Sequence, residues 1–323
     1  MRDLRKVQQT PTGTFFVCVP KSWAQQYGLK KGTLVNLEVI DDGKLVVDAK
    51  YDSEQQPRMV TLTVGPFLRR EIIGCYLLGF DVICVEAKDR IELEVRNIVK
   101  STVSSLVGLE IVEETYSQVV LQCLLDPIGS QPEKILRRIC AIVSGMLRDV
   151  TNSFITGDLQ LAKAVVARDV ESNRLYFLLV RTLRTIIQTP KLNEKLGITS
   201  IDCLDYRLAA SLIESMGDVC VQIATKTLEL HGFKPYGELL KLLKDLQAVC
   251  LGANEQALKA FINKDMTIAE NVRNAKTNIR DIYADIEKVA KNQPLDVMPH
   301  LLVTTSFIRQ IYEHSLDMAD LVA

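Results

Sequence analysis

The chain has 323 residues, 47% hydrophobic and 24% charged, with 39 Lys and Arg set against 40 Asp and Glu. That length suffices for two or three domains, and that balance describes an ordinary globular protein. Eight cysteines are scattered without a C-x-x-C pair and no secretory leader is evident, so buried, reduced thiols and a cytoplasmic location are expected. No apolar run approaches the roughly 18 residues of a membrane span, so no membrane insertion is expected.

The net charge of −1 hides an asymmetry: residues 1–36 carry Arg2, Arg5, Lys6, Lys21, Lys30 and Lys31 against the single acid Asp3. Residues 1–50 read as a unit of their own. Thr14–Val19 is a short β-rich run stopped by Pro20, and KSWAQQYG gives one or two helical turns ended by Gly28. Thr33–Ile40 and Leu45–Ala49 are strands joined through Asp41-Asp42-Gly43. Fifty residues are marginal for one core, so pairing with a second copy is expected. Clustered cations without opposing acids supply the phosphate term of DNA binding, although a basic face used for solubility or protein docking has the same composition.

Residues 51–57, YDSEQQP, form a polar linker. Beyond it the pattern alternates: strand 59–64, helix 67–78, strand 81–86, helix 91–106, then strands 109–113 and 117–124, a small α/β layer over 58–126. Arg69, Arg70, Arg90 and Arg96 read as solvated positions rather than ligand-binding ones.

From 131 onward the chain is helical, with helices expected at 131–156, 158–188, 202–230, 236–262, 267–292 and 299–323. Ser130 with Glu133, and Thr267 with Glu270, fit capping boxes. A repeat is visible. Ala162, Val165, Leu175 and Tyr176 align at one constant offset with Ala269, Val272, Ile282 and Tyr283, and Glu214/Asp218 has a counterpart in Glu313/Asp317. Two sets of three helices follow, 131–231 and 232–323. Acids four residues apart share a helix face and repel by a few tenths of a kcal/mol; one such pair means little, but the chain carries it twice.

No Glu-x-x-His pair accompanies His231, His300 or His314, which removes a carboxylate-bridged di-iron enzyme. No phosphate loop, nucleophile elbow or zinc set is present either, so no enzyme is expected.

Two resemblances sharpen this reading. T-G-T-F, V-P-K-x-W-A, G-L-K-K-G and V-x-L-E-V within the first fifty residues resemble the AbrB/SpoVT swapped-hairpin DNA-binding module. That implies an intertwined dimer whose basic strands meet DNA, through Arg2, Arg5, Lys6, Lys21, Lys30 and Lys31. D-V-E-S-N at 169–173, E-S-M-G-D at 214–218 and E-H-S-L-D at 313–317 resemble the PhoU family of phosphate-uptake regulators. In that family acids of the second and third helices of each bundle bind metal. IIGCYLLGFDVICVE with VGLEIVEET resembles the connecting region of archaeal PhoU-like regulators. The resemblance implies a divalent or trivalent metal (iron, zinc or magnesium) on Asp169, Asn173, Glu214 and Asp218 of the first bundle. In the second bundle Lys276 and Arg280 stand at the offset of Asp169 and Asn173, so a degenerate site is expected in which they ion-pair with Glu313 and Asp317. The expected fold is multidomain: an N-terminal swapped-hairpin β domain (1–50), an α/β middle domain (58–126) and C-terminal all-α tandem three-helix bundles. The function implied is DNA-binding transcriptional regulation of phosphate uptake and homeostasis, with a homodimer, DNA and a phosphate-transporter ATPase or a signalling protein as partners. Two alternatives are an adaptor that gates the transporter without binding DNA, and a metal-dependent structural scaffold.

Overall fold

The computed structural model describes residues 4–39, 43–49, 57–125, 129, 131–230 and 233–322. Arg2, Asp41, Asp42, residues 51–56, Ser130 and His231 lie outside the described residues. The chain divides into two compact units, Met1–Pro57 and Arg58–Ala323.

In the first unit β1 (Gln8–Gln9) pairs antiparallel with β2 (Phe15–Phe16). The turn between them is closed by the Thr14 amide donating to Thr10 Oγ1 at 3.1 Å, with Gly13 at a φ of 91° that a side chain would strain. The expected strand over 14–19 is thus cut to two residues. Helix α1 (Lys21–Gln26) starts after Pro20, and β3 (Asn36–Val39) pairs antiparallel with β4 (Leu45–Asp48). Among the described residues of this unit none is buried. Helix α1 buries no residue, while Phe15 is 68%, Leu34 75% and Val39 75% exposed.

The second unit begins with an α/β layer: β5 (Met59–Thr63), α2 (Leu68–Leu77), β6 (Val82–Glu86), α3 (Leu93–Ser104), β7 (Leu109–Glu114) and β8 (Gln118–Cys123). The sheet order is β5-β6-β8-β7, parallel between β5 and β6 and antiparallel elsewhere. The apolar run VICVE makes β6 a central strand, with Ile83 and Val85 fully buried against Ile72 and Tyr76 of α2.

Helices α4 (Pro132–Thr156), α5 (Leu159–Gln188) and α7 (Ser200–Glu229) pack on one another, as do α8 (Gly237–Asn263), α9 (Met266–Ala290) and α10 (Met298–Ala319). The two sets join like to like, α4 on α8 and α7 on α10, around one continuous core. The two equivalent tyrosines each meet an arginine of the third helix, though the arginines stand at different repeat positions. Tyr176 lies under Arg207 at 4.9 Å and its counterpart Tyr283 under Arg309 at 5.0 Å.

Helix α4 is entered through Gln131, which makes no side-chain cap, and the expected box of Ser130 with Glu133 lies outside the described residues. The cap of one helix differs from expectation. Helix α9 is capped by Asp265, which accepts from the Thr267 and Ile268 amides, while Glu270 pairs with Arg273 at 2.8 Å instead of closing a box. A complete capping box does stand at Thr199 and Asp202, starting α7. An additional short helix, α6 (Pro190–Leu196), occupies what reads as a break, because proline suits a first helical turn. Helix α7 is long and apolar enough by composition to cross a membrane, with a mean hydropathy of 1.2 in its best window, yet half of that window is buried in the core. All eight cysteines are free; Cys84, Cys140, Cys203, Cys220 and Cys250 are buried as expected, and Cys18 is exposed.

The layer is fastened to the helical body by a buried cation. Arg181 of α5, its side chain 8% exposed, donates to the Tyr76 and Phe80 carbonyls at 2.6 and 2.9 Å. It also lies over the Tyr76 ring and 3.6 Å from Asp81. Arg58 adds bonds to the Leu78 carbonyl and to Gln188. A guanidinium removed from water needs such saturation of its donors.

Candidate functional site

The cations of the first unit reach solvent. Arg5, Lys6, Lys21, Lys30 and Lys31 are all exposed, Lys21 at the start of α1 and Lys30 and Lys31 in the turn after it. That turn is fixed by the Lys30 amide donating to Thr33 Oγ1 at 3.0 Å and by the Leu29 amide donating to the Ala24 carbonyl. The turn therefore presents two adjacent ammonium groups on an ordered backbone. Trp23 and Tyr27 of the α1 region pack ring to ring at 5.5 Å.

The first-bundle acids lie at the α5–α7 contact. Gly217 of α7 faces Asp169 and Ser172 of α5: a methyl there would stand at ordinary contact distance, 3.6 Å from Asp169 Oδ1 and 3.5 Å from Val143 of α4. Burial and the nearby Asp218 charge push the Asp169 carboxyl above its ordinary range. Burial, then Asp218 and Asp169, do the same to Glu214, with Arg207 acting against them. The charges of Asp169, Glu214 and Asp218 act on one another across the two helices. The donors there are arranged for hydrogen bonding. The Asn173 side-chain amide donates to Asp169 Oδ2 at 2.8 Å, and Ser172 Oγ donates to the Asp169 carbonyl at 2.9 Å. Asn173 thus spends an N–H on Asp169 of its own helix. Among the described residues no three His, Cys, Asp or Glu side chains converge closely enough to hold a metal ion. Asp169, Asn173, Glu214 and Asp218 therefore do not fit the iron, zinc or magnesium centre that the resemblance implies, since hard cations demand several converging oxygens.

The second bundle departs from expectation as well. Lys276 and Arg280 are exposed on α9, and Arg280 pairs with its neighbour Asp281 at 3.3 Å. On α10 Glu313 pairs with Arg309 at 3.7 Å, and Asp317 lies 4.0 Å from His314. The expected ion pairs from Lys276 and Arg280 to Glu313 and Asp317 do not form among the described residues. Exposed charges have nearer partners on their own helix, and water screens the rest. The α9–α10 link lies elsewhere. Arg273 donates to Asp320 at 2.8 Å and to the Ala319 carbonyl at 3.1 Å, and the Tyr312 hydroxyl donates to the Val272 carbonyl at 2.9 Å.

Sequence reasoning passed over Arg181, whose signal is a cation set inside the run FLLVRTL. It also passed over a buried polar node where α4 meets α8. There the Asn254 side-chain amide donates to Ser144 Oγ at 2.9 Å, with Cys140 Sγ 3.8 Å from Asn254 Oδ1.

Fold and sites together define a class: a small β module with outward cations, followed by a helical body of two like-paired three-helix repeats. The comparisons with known proteins agree with it. The PhoU domain model matches residues 136–227, and that of antidote-toxin recognition MazE, a bacterial antitoxin, matches residues 8–56. The chain thus carries a PhoU domain and an N-terminal domain of the MazE/AbrB antitoxin type. PhoU from Pseudomonas aeruginosa has a similar structure, with a TM-score of 0.53 at 17% identity, over 60% of this chain and 95% of that one. The phosphate transport system regulatory protein PhoU from Streptococcus pneumoniae gives 0.52 at 14% identity, over 59% and 91%. At these identities the likeness is one of fold. No curated protein matches the chain.

Proposed function

We propose that this chain is a cytoplasmic, DNA-binding transcriptional regulator of phosphate uptake, dimeric through its first unit. The observation that carries the reading is the antitoxin-type module with exposed Arg5, Lys6, Lys21, Lys30 and Lys31, joined in one chain to a PhoU domain. Ammonium groups held outward release counterions when they meet phosphates, which drives association with DNA. The exposed Phe15, Leu34 and Val39 support dimerisation, because apolar surface of that extent in so small a unit calls for a cover. The helical body is the part that receives the phosphate signal, through a transporter component or a signalling protein, and no catalytic step is assigned to it. Chromatin occupancy mapped in phosphate-replete and phosphate-starved cells tests the proposal: discrete, phosphate-dependent peaks at uptake genes are expected, and their absence contradicts it.

A second reading, an adaptor that gates the transporter without touching DNA, rests on the neighbour whose title calls it a phosphate transport system regulatory protein. It predicts co-purification with a transporter ATPase in the absence of any chromatin signal.

A further inference from the structure

Arg174 and Arg181 lie seven residues apart on α5, two turns along one face, and both are directed at the α/β layer. Their surroundings differ. Arg181 is saturated by two carbonyls, a carboxylate and a ring. Arg174 forms no hydrogen bond or ion pair among the described residues, and its Nε is buried without a partner. It lines a cleft of about 480 Å³ between α5, the end of α3 and the start of β7. Beside it stand Lys100 and Ser104 of α3, while the half-buried Ile111 of β7 offers apolar surface over the buried Val103 and Leu109. The one acid of the lining, Glu110, is exposed and pairs with neither cation, and Lys100 reaches only Glu114, at 3.8 Å.

We propose that this cleft binds a small organic anion, its phosphate or carboxylate head held by Arg174, Lys100 and Ser104 and its apolar body lying against Ile111. Arg174 lines the cleft without a hydrogen bond or ion pair among the described residues, which leaves its guanidinium for an anion's oxygens. The volume falls within the range of small-molecule sites, and the lining has their composition of apolar walls with a few convergent polar groups. The location gives the ligand leverage. Arg174 shares its helix with Asp169 and with Arg181, so an anion here bears on the same element that carries the acid cluster and the lock between layer and bundle. The inference does not depend on DNA binding and holds equally for the adaptor reading.

Calorimetric titration of the full chain, without DNA, tests it with phenyl phosphate, benzoate and inorganic phosphate in separate arms. Phenyl phosphate is expected to bind, and inorganic phosphate, lacking the apolar body, to bind more weakly. Arg174→Gln is expected to weaken phenyl phosphate by about tenfold or more, as removal of a charge-assisted hydrogen bond does, and Lys100→Gln by severalfold. Equal affinity for inorganic and phenyl phosphate removes the apolar wall from the site. No binding of any probe at millimolar concentration overturns the proposal, as does undiminished binding by a folded Arg174→Gln. If Arg174→Gln does not fold, Lys100→Gln decides alone, since its side chain is largely exposed, and unchanged affinity there overturns the site.

Discussion

The two bundles share one repeat and treat their charges in opposite ways. In the first, Asp169, Glu214 and Asp218 lie close enough to perturb one another, and Asn173 and Ser172 are tied to Asp169. In the second, the equivalent positions carry Lys276, Arg280, Glu313 and Asp317, whose contacts are local or solvent-facing. The second bundle holds its helices instead through Arg273 and Asp320, which fall at the repeat's offsets on Val166 and Val221 of the first. A polar link in one copy thus stands where the other has apolar side chains. Tyr176 and Tyr283 each lie under an arginine, Arg207 and Arg309, that stands at a different repeat position in each copy, so here too the electrostatic task moves along the helix.

The largest expected effect breaks the first cluster sterically. Gly217→Leu drives a branched side chain against Asp169 and Val143, and overpacking of this kind costs about 1–3 kcal/mol. Gly217→Ala, meeting its neighbours at ordinary contact distance, is expected to be neutral or to stabilise by up to ~1 kcal/mol. Denaturant midpoints of the two variants check this; similar losses in both would show that α5 and α7 approach more closely than the structure has them.

A smaller effect is electrostatic. Folding raises the Glu214 pKa, so the folded state binds the proton more readily than the unfolded chain. Its stability contribution is therefore full below the unfolded pKa and is lost as pH rises through the raised folded value. Glu214→Gln is expected to stabilise the protein at neutral pH, by about 0–1 kcal/mol for a half-exposed group, and to change little near about pH 4. Melting curves across that range check it, and destabilisation at neutral pH would mean that the carboxylate has a cation partner after all. Elemental analysis is the companion measurement: the parent and the Glu214→Gln, Asp218→Asn variant are expected to carry equal metal.

In the second bundle the expectation is near silence. Lys276→Gln with Arg280→Gln should shift stability by no more than about 0.5 kcal/mol, as surface changes do. Arg273→Met should lower the melting midpoint by more than that pair does, because it removes the α9–α10 ion pair and a carbonyl contact together. The reverse order would restore the register in which Lys276 and Arg280 face Glu313 and Asp317.

Much of this architecture was legible in the chain. Periodicities of two and near four residues located the α/β layer and the six long helices, because burial on one side leaves an apolar stripe. What stayed hidden depends on choices that sequence leaves open. Asp265 and Thr267 are both good caps two residues apart, and Pro190 starts a helix as readily as it ends one. Asp169 and Lys276 share a repeat position, yet nothing in their spacing says that one is half-buried and the other exposed. The spacing of Asp169, Glu214 and Asp218, which do not converge as metal ligands, is a property of the packed helices and not of the sequence interval.

The central claim, that the first unit grips DNA, is tested most directly by a mobility shift with duplex DNA across a salt series. The full chain is compared with a variant carrying Lys6→Gln, Lys21→Gln, Lys30→Gln and Lys31→Gln. The parent is expected to bind tightly at low salt and to weaken steeply as salt rises, while the variant binds weakly with a shallower dependence, each lost phosphate contact removing about 0.9 from the slope. Equal affinity and equal slope in the two proteins would contradict the account.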